Sequence, residues 1–418
     1  MKRCLIHDIG RIEGLLDADV TFLRGPEMES MQGLSDAWIY IEDGIISSIG
    51  SMTAPFMGEV DERIDATGAL VLPTYCDSHT HLVFAETREK EFAMRIEGIS
   101  YEEIALAGGG ILNSVDKLRR VSEEDLFQRT LKRAKEVMTH GTGCIEIKSG
   151  YGLDVESELK ILRVARRIGR ETPLTVKTTF LGAHAFPNEY LENTEAYINL
   201  IIDGMIPAVA KEGLADYIDV FCERGYFDKH QMERILLAGK EHGLRPKVHV
   251  NQFSSIGGVQ MAIKNEALST DHLEVMTDHD IEDISSSDTI ATALPACSFF
   301  LDIPYAPAEQ IMAKGGILAL ATDFNPGSSP CSNMNFIMSL ACIRMGMTPL
   351  QALAGCTING AAAMELSEHH GSITPGKKAD FIITKPMRSL AQLPYSFASD
   401  PISKVILGGG IVHQNEGY

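Results

Sequence analysis

The chain has 418 residues, of which 44% are hydrophobic, and its 37 Lys plus Arg against 57 Asp plus Glu give a net charge of −20. This length and hydrophobic content suit one large folded domain or two ordinary ones, and they exclude disorder as the main state. The negative charge disfavours a protein whose main task is to bind nucleic acid or an anionic membrane surface.

The N-terminal segment and the cysteines predict a cytoplasmic protein. The first twenty residues are interrupted by Asp8, Arg11 and Glu13, so they lack the apolar run of a secretory signal. No stretch approaches the roughly 20 apolar residues of a membrane-spanning helix. The eight cysteines are scattered without a CxxC pair, and free thiols are the expected state of a chain that is not exported.

Both ends of the chain are predicted to be rich in β-structure. Near the N-terminus, β-branched and aromatic residues alternate with polar ones in DADVTFLRG, DAWIYIEDGIISSIGS and ATGALVLP, and the second segment contains an Asp-Gly turn. Near the C-terminus, GSITPGKKADFIITK and ISKVILGGGIVHQ show the same pattern. These segments predict short strands and hairpins at both termini.

Between the termini, apolar strands alternate with amphipathic helices. Candidate strands cover residues 71–78, 142–148, 174–183, 216–222, 247–250, 268–272, 289–295 and 316–322. Helical spacing of apolar residues is clearest in VESELKILRVARRIGRE, and comparable stretches lie near 195–213, 228–242 and 348–364. Such alternation predicts a parallel sheet, and eight units are the number that closes a (β/α)8 barrel.

An open, doubly wound α/β sheet is the alternative architecture. That fold binds nucleotides through a Gly-rich turn that directly follows a strand. The glycines at 108–110 precede a helical stretch but do not follow a strand. The barrel is therefore the favoured fold.

The segment CDSHTHL at residues 76–82 places two histidines at the end of the first predicted barrel strand. Side chains at positions i and i+2 of a strand point the same way, so His79 and His81 can bind one ion with two imidazoles. An isolated HxH pair is often no more than two surface histidines. Its position at the carboxyl end of a barrel strand, where active sites of this fold lie, favours a pair of metal ligands.

Further side chains of the metal-binding types end later strands. PKVHV ends in His249, STDHLE contains Asp271 and His272, and LALATDFNPGSS places Asp323 directly after an apolar run. One histidine at a strand end is more often structural, but several such residues on one rim of a barrel are hard to explain as core packing. Histidines and a carboxylate around an open position can make a bound water acidic enough to attack near neutral pH.

These motifs resemble the amidohydrolase superfamily, and other segments narrow the resemblance to the imidazolonepropionase family, hydrolases of histidine degradation. The segments that carry it are HTHLVFAETREKEF, SYEEIALAGGGI, EIKSGYGLD, TTFLGAHAFP, LSTDHLE and ATDFNPGSSP. They span nearly the whole chain. The resemblance implies hydrolysis of a small-molecule substrate, 4-imidazolone-5-propanoate, to N-formimidoyl-L-glutamate.

The resemblance also implies a domain organisation and a metal cofactor. A barrel of residues 69–365 would be accompanied by a small β-sandwich formed by residues 1–68 and 366–418. One metal ion per chain, zinc or iron, would be bound by His79, His81, His249 and Asp323. A site of three histidines and one aspartate also accepts manganese, so the residue types alone do not fix the metal.

The family's substrate-binding residues can be assigned to positions of this sequence. Arg88 in AETREKEF would bind the propionate, because the guanidinium fork matches a carboxylate. Tyr151 in KSGYGLD and His184 in LGAHA would line the imidazolone ring. The loop after the eighth strand would contact substrate and product through Asn325, Gly327 and Ser328. A Pro-Gly pair in that loop would also be explained by turn formation alone.

Gln252 departs from the pattern of related hydrolases, which often carry a glutamate three residues after the histidine of the fifth strand. Glutamine can orient a water or a ring N–H, but it cannot act as a base. We expect the role of base to pass to Asp323 or His272. Asp323 is favoured because it would contact both the metal and the water, while His272 would polarise the ring carbonyl.

Two other functions compete with this interpretation. A deaminase of nucleobases or other aromatic amines would use a similar metal site, but it would give Arg88 no anionic partner, and its proton-shuttling glutamate is missing at Gln252. A binding or structural protein on a decayed barrel would have lost metal ligands, and all four are present. Many barrels of this kind form homodimers, but no feature of the sequence fixes a dimer surface.

Overall fold

The computed structural model describes residues 2–99 and 109–415, and strands from both chain ends form one mixed sheet within them. Its strands are β1 (Arg3–Leu15), β2 (Gln32–Glu42), β3 (Ile45–Ser51), β4 (Glu62–Asp65), β5 (Ala69–Pro73), β14 (Phe381–Pro386), β15 (Ile402–Leu407) and β16 (Gly410–Gln414). The strand order is β16-β15-β14-β5-β1-β2-β3, with β4 also paired to β1. The predicted union of the two chain ends in one small β-unit is confirmed.

The N-terminal hairpin forms where the sequence predicts it, but the first predicted strand is wrong. Asp43 and Gly44 join β2 to β3, and both have positive φ angles, as a two-residue hairpin turn requires. DADVTFLRG contains no strand and is followed by a 3-10 turn at Gly25–Glu29. The preceding segment forms β1 instead, because its apolar residues Ile6, Ile9 and Ile12 are fully buried.

Eight parallel strands form the barrel in chain order, and each is hydrogen-bonded to the next. They are β6 (Tyr75–Thr80), β7 (Thr142–Lys148), β8 (Thr175–Ala183), β9 (Tyr217–Cys222), β10 (Arg245–Val250), β11 (Ser269–His272), β12 (Ile290–Ala293) and β13 (Leu318–Leu320). The segment after β13 closes the ring, since Asp323 N donates to His79 O at 3.0 Å and His81 N donates to Phe324 O at 2.9 Å. The predicted (β/α)8 barrel is confirmed.

The strand predicted at 71–78 is divided between the two sheets. Residues up to Pro73 belong to β5, which pairs with β1 and β14, whereas β6 starts at Tyr75 and pairs with β7. Thr74 is the single residue between β5 and β6, and its N–H donates to Asp380 O at 3.2 Å. An uninterrupted apolar run does not reveal this change of partner, because both halves are buried.

Helices follow the barrel strands and cover its outside. They are α1 (Glu89–Ile96), α2 (Ile111–Arg120), α3 (Glu123–Thr139), α4 (Val155–Glu171), α5 (Thr194–Leu200), α6 (Ile206–Glu212), α7 (Lys229–Glu241), α8 (Gly258–Lys264), α9 (Asp278–Ser285), α10 (Pro295–Leu301), α11 (Ala308–Ala313), α12 (Met334–Arg344), α13 (Pro349–Cys356), α14 (Ile358–Ala362) and α15 (Gln392–Tyr395). No helix in the described part of the chain has the length and apolar character needed to cross a membrane.

Three of the four predicted helical regions are helical over nearly the predicted residues, and the fourth is divided into two helices. VESELKILRVARRIGRE forms α4, which Asp154 caps by accepting a hydrogen bond from Ser157 N at 2.8 Å. The regions near 195–213 and 228–242 form α5 with α6 and α7, and a widened π-helical turn at Ile201–Met205 joins α5 to α6. The region at 348–364 breaks at Thr357, whose φ of −122° and ψ of −89° separate α13 from α14.

Candidate active site at the carboxyl ends of the barrel strands

A cavity of about 740 Å³ opens at the carboxyl ends of the barrel strands. Its lining contains most of the residues that the sequence analysis selected, namely His81, Arg88, Tyr151, His184, His249, Gln252, His272, Asp323, Asn325, Gly327 and Ser328. His79 and Asp271 do not line the cavity, since both are fully buried beneath it. The segment SYEEIALAGGGI lies almost entirely outside the described residues. The fold therefore brings together predicted site residues from six of the eight strand ends.

Five buried side chains at the floor of this cavity form a cluster of potential metal ligands. The donor atoms of His79, His81 and Asp323 all lie within 4.8 Å of one another, and so do those of His79, His249 and His272. Asp323 Oδ1 is 3.5 Å from His79 Nε2 and 3.7 Å from His81 Nε2. The four predicted ligands thus lie together, and His272 lies close enough to be a fifth donor.

The chemistry of this cluster fits a cation. The Nε2 atoms of His79 and His249 are buried without a hydrogen-bond partner, which is costly for a polar atom unless a ligand occupies the space between them. Burial lowers the pKa values of His79, His81 and His249 well below the ordinary histidine value. The neutral imidazole is the form that binds metals, so these three side chains are in the right protonation state.

Two residues of the cluster occupy strained backbone conformations at their strand ends. His272 has a φ of 90° and Asp323 a φ of 53°, in the left-handed region that residues other than glycine seldom adopt. In a regular strand the side chain of His272 would point away from that of Asp271. Both instead reach the His79 ring, Asp271 by a 2.7 Å contact with its Nδ1 and His272 with ring centroids 5.8 Å apart.

The loop after β13 fixes the carboxylate of Asp323. Asn325 accepts hydrogen bonds from Gly327 N and Ser328 N, both at 2.8 Å, and donates to Asp323 O at 2.6 Å. Ser328 Oγ donates to Asp323 Oδ2 at 3.3 Å. Burial raises the pKa of Asp323 to about 6. Asn325 lines the cavity, but its amide is used inside the loop.

Arg88 lies at the wall of the cavity with one edge of its guanidinium already occupied. Its Nε and Nη2 donate to Glu91 Oε2 at 2.8 and 2.6 Å, at the start of α1. The Nη1 edge faces the loop after β13, where a Cβ atom on residue 327 would overlap Nη1. A side chain at position 327 would therefore displace the guanidinium from its present position, and glycine leaves the space free.

Tyr151 and His184 form a wall of aromatic rings beside the histidine cluster. The rings of His81 and His184 stack with centroids 5.1 Å apart, and Tyr151 lies 5.7 Å from the first and 5.5 Å from the second. His184 Nδ1 contacts Gly150 O at 3.0 Å, and burial lowers the pKa of His184 to about 4. Neutral His184 thus donates from Nδ1 and has Nε2 as an acceptor.

Gln252 lies between the cavity and a buried cysteine. Its Nε2 donates to Cys297 Sγ at 3.4 Å. This contact leaves the carbonyl oxygen of Gln252 as a hydrogen-bond acceptor at the cavity wall. The geometry agrees with a positioning role for this side chain.

Two carboxylates that were not predicted from the sequence contact histidines of the cluster. Asp219 Oδ2 lies 2.9 Å from His249 Nδ1, and Glu274 Oε1 lies 3.2 Å from His272 Nδ1. Burial lowers the pKa of His272, but the charge and hydrogen bond of Glu274 outweigh this and raise it. The spacing of His272 and Glu274 in STDHLE could have indicated Glu274, because a carboxylate two residues from a histidine can reach its ring.

Comparison with known proteins identifies the family. The amidohydrolase family matches residues 70–412. The imidazolonepropionase of Christiangramia forsetii is 53% identical over 408 residues, which cover 98% of this chain and 99% of that protein. The imidazolonepropionase of Flavobacterium psychrophilum is 51% identical and covers 98% of this chain and 100% of its own length. That of Geobacillus thermodenitrificans is 43% identical and covers 100% of this chain and 99% of its own length.

Solved structures support the fold at much lower sequence identity. An adenosine deaminase from Xanthomonas campestris with bound zinc superposes with a TM-score of 0.72 at 14% identity, covering 98% of this chain and 92% of the other. A guanine deaminase from E. coli gives 0.70 at 14% identity and covers 100% of both chains. The sequence relatives and the family match together show that this chain belongs to the amidohydrolase family and, within it, to the imidazolonepropionases.

Proposed function

We propose that this enzyme adds water to the ring carbonyl of 4-imidazolone-5-propanoate and opens the ring to N-formimidoyl-L-glutamate. The observation that carries the proposal is that one cavity is lined by both Arg88 and the histidine and aspartate cluster. The substrate has the matching pair of groups, an anionic propionate and a cyclic amide carbonyl. The imidazolonepropionases that are more than half identical to this chain support the same activity.

The residues proposed to hold the metal, zinc or iron, are His79, His81, His249 and Asp323. The orphaned Nε2 atoms of His79 and His249 support this assignment. A bound cation at this position supplies a Lewis acid, which lowers the pKa of a water molecule and polarises a carbonyl oxygen. Because the three histidines are neutral, Asp323 is the one proposed ligand that contributes a negative charge.

Arg88 is proposed to bind the propionate through Nη1 and the outer side of Nη2. Glu91 holds the other edge of the guanidinium, so the side chain is already oriented before substrate arrives. A preorganised cation loses little freedom when it binds the carboxylate. The net charge of −20 repels an anionic substrate at long range, so this local positive group is needed for binding.

The imidazolone ring would lie against Tyr151 and His184, with Gln252 at its edge. The Nε2 atom of His184 and the carbonyl oxygen of Gln252 are acceptors for ring N–H groups. These contacts would orient the ring carbonyl toward the cluster at the cavity floor. Gly327 leaves the space that Arg88 needs, and Ser328 and Asn325 hold the catalytic carboxylate in place.

Asp323 is proposed as the base. Its carboxylate takes a proton from the attacking water, whose oxygen adds to the ring carbonyl carbon. His272 stabilises the negative charge that develops on the carbonyl oxygen, and Glu274 holds the ring of His272 in position. Asp323 then returns the proton to the ring nitrogen as the carbon–nitrogen bond breaks. The carbonyl carbon becomes the new carboxyl group of the product, which releases the second proton of the water to solvent as it ionises to a carboxylate.

Loss of the imidazolone absorbance, measured together with metal content on the same sample, tests this proposal. We expect turnover that scales with the bound metal and vanishes after chelation. Cytosine and guanine serve as control substrates, because a deaminase would release ammonia from one of them. Absence of imidazolone turnover in the metal-loaded protein, or ammonia release in its place, would overturn the assignment.

A further inference from the structure

Directly below the histidine cluster, the barrel interior contains five charged side chains that are shielded from solvent. These are Glu146, Lys148, Asp219, Lys247 and Asp271, and each is at most 1% exposed. Charges in such a place persist only when they are paired and hydrogen-bonded. Three carboxylates and two ammonium groups must therefore satisfy one another within the barrel.

Lys148, the last residue of β7, contacts all three carboxylates. Its Nζ is 2.7 Å from Glu146 Oε1, 2.8 Å from Asp219 Oδ2 and 3.3 Å from Asp271 Oδ2. An ammonium group has three N–H donors and no acceptor, so these contacts use its full capacity. Lys148 is not among the residues that line the cavity, and it has no donor left for a substrate.

Two of these oxygens also contact histidines of the cluster. Asp271 Oδ2 is 2.7 Å from His79 Nδ1, and Asp219 Oδ2 is 2.9 Å from His249 Nδ1. The second oxygen of Asp219 accepts a hydrogen bond from His249 N at 3.1 Å. Each of the two carboxylate oxygens is thus shared between the Lys148 ammonium and one imidazole. Asp271 orients the His79 ring through a hydrogen bond, whereas Asp219 holds His249 through its backbone N–H and a close Nδ1 contact that lies outside hydrogen-bond geometry. Both rings have Nε2 left for the cluster.

We propose that Lys148 is the common positioning residue for the metal ligands His79 and His249. Through Asp271 and Asp219 it fixes the orientation of both imidazoles at once, although it touches neither ring. This inference rests on the metal site of the proposed function. Lys148 would thereby position two ligands that come from different strands, β6 and β10, relative to each other.

Removal of the Lys148 ammonium would leave three buried carboxylates with one lysine, Lys247, which pairs with Glu146. Uncompensated charge in the barrel interior is relieved when a carboxylate turns away or becomes neutral. Either change loosens the histidine that this carboxylate orients. Loss of a residue that orients metal ligands typically weakens metal binding by about 10- to 100-fold.

Lys247 provides a matched control because it is equally buried in the same layer. Its Nζ donates to Ser78 O at 3.2 Å, to Ala363 O at 2.9 Å and to Glu146. None of these groups contacts a histidine of the cluster. Substitution of Lys247 therefore removes a buried ammonium group from the same layer while the contacts of Lys148 with Asp219 and Asp271 stay in place.

The test compares K148M and K247M with the wild-type enzyme, loaded with cobalt(II) as the probe. Cobalt affinity is measured by competition with a chelator, and the visible cobalt spectrum reports ligand geometry independently of activity. We expect K148M to bind cobalt at least about 10-fold more weakly with an altered spectrum. K247M should keep the affinity within about 3-fold and the spectrum unchanged, even if its melting temperature falls.

A second set of variants covers the case in which K148M does not fold. D219N, D271N and the double variant keep the shapes of the two carboxylates. If Lys148 couples the two carboxylates, the fold-loss of cobalt affinity in the double variant should be smaller than the product of the losses in the two single variants. Wild-type affinity and spectrum in K148M, equal weakening in K247M, or independent losses in the Asp variants would each overturn the proposal. These outcomes do not depend on imidazolone turnover, so they are distinguishable from a failure of the proposed function.

Discussion

Arg88 and Glu91 form a two-point ion pair at the wall of the active-site cavity, with Nε at 2.8 Å and Nη2 at 2.6 Å from the same carboxylate oxygen. Glu91 is itself held by Gly110 N at 3.1 Å and by Asn113 Nδ2 at 3.3 Å. It orients the guanidinium, but its negative charge also competes with that of the substrate. The two effects can be separated by substitution.

We expect E91Q to change KM for the imidazolone substrate by less than about 3-fold, because the loss of the competing charge is offset by an amide NH2 that must face Gly110 N when the amide oxygen accepts from Arg88. E91A should raise KM by about 10-fold, because the freed guanidinium must be ordered during binding. Steady-state kinetics at low salt measure both. A rise of KM in E91Q as large as that in E91A would show that a neutral amide does not hold the guanidinium and that the Glu91 charge is needed to orient it.

Arg88 itself should control substrate binding but not the metal. R88Q removes the charge and the fork, and we expect kcat/KM to fall by about 100-fold or more, as for a lost charge-assisted hydrogen bond at a buried site. Metal content should stay at the wild-type level, since Arg88 is not among the residues of the histidine cluster. Full affinity of R88Q for the propionate substrate would contradict the assignment of Arg88 as its partner.

His249 and Asp323 should be needed for both metal content and turnover. We expect H249A and D323A to lose turnover and bound metal together, since each removes one of four donors from a buried site. Elemental analysis of the purified variants measures the metal, and the absorbance assay measures turnover. H413A is the control, because His413 lies in β16 and far from the cluster in the fold. A variant that kept its metal but lost activity would assign that residue to catalysis alone.

Gln252 should act as a positioning residue and not as a substitute for a base. Its amide donates to Cys297 Sγ, and Asp323 is available for proton transfer. Q252E replaces the amide that donates to Cys297 Sγ by a titratable carboxyl group. If Gln252 only positions the ring, we expect kcat to stay within about 5-fold of the wild type with an unchanged pH profile. A gain of more than 10-fold in kcat would show that the wild-type site lacks a base that glutamate restores.

Much of this site follows from the sequence because strand ends and residue types carry the information. The sequence contains a histidine pair at positions i and i+2, and His249 and Asp323 follow later strands. These side chains meet at one rim if the strands close into a barrel in chain order. The division at Thr74 and the inward turn of His272 could not be predicted, since both depend on tertiary context. The sharing of Asp219 and Asp271 between Lys148 and the histidines depends on register across strands distant in sequence, which a single sequence does not contain.

Outside the active site, His370 forms a buried ion pair that should make stability depend on pH. Its Nδ1 is 3.0 Å from Asp380 Oδ2, and its Nε2 is 3.4 Å from Thr175 Oγ1 of β8. Burial lowers the pKa of His370, but the neighbouring Cys144 and Asp380 outweigh this effect and raise it to about 9. The folded state therefore binds the proton more tightly than the unfolded chain, whose histidine pKa is about 6.5.

A raised pKa in the folded state means that the stabilisation is fully present below pH 6.5 and is lost as the pH rises through about 9. We expect H370Q to lower the free energy of unfolding by about 2 kcal/mol at pH 6, and by much less at pH 9.5. Urea denaturation at both pH values measures the difference. H369Q is the matched control, because the adjacent His369 is exposed and its substitution should change little at either pH. An equal loss of stability in H370Q at both pH values would show that packing, and not the charge of His370, holds this contact between the barrel and the terminal sheet.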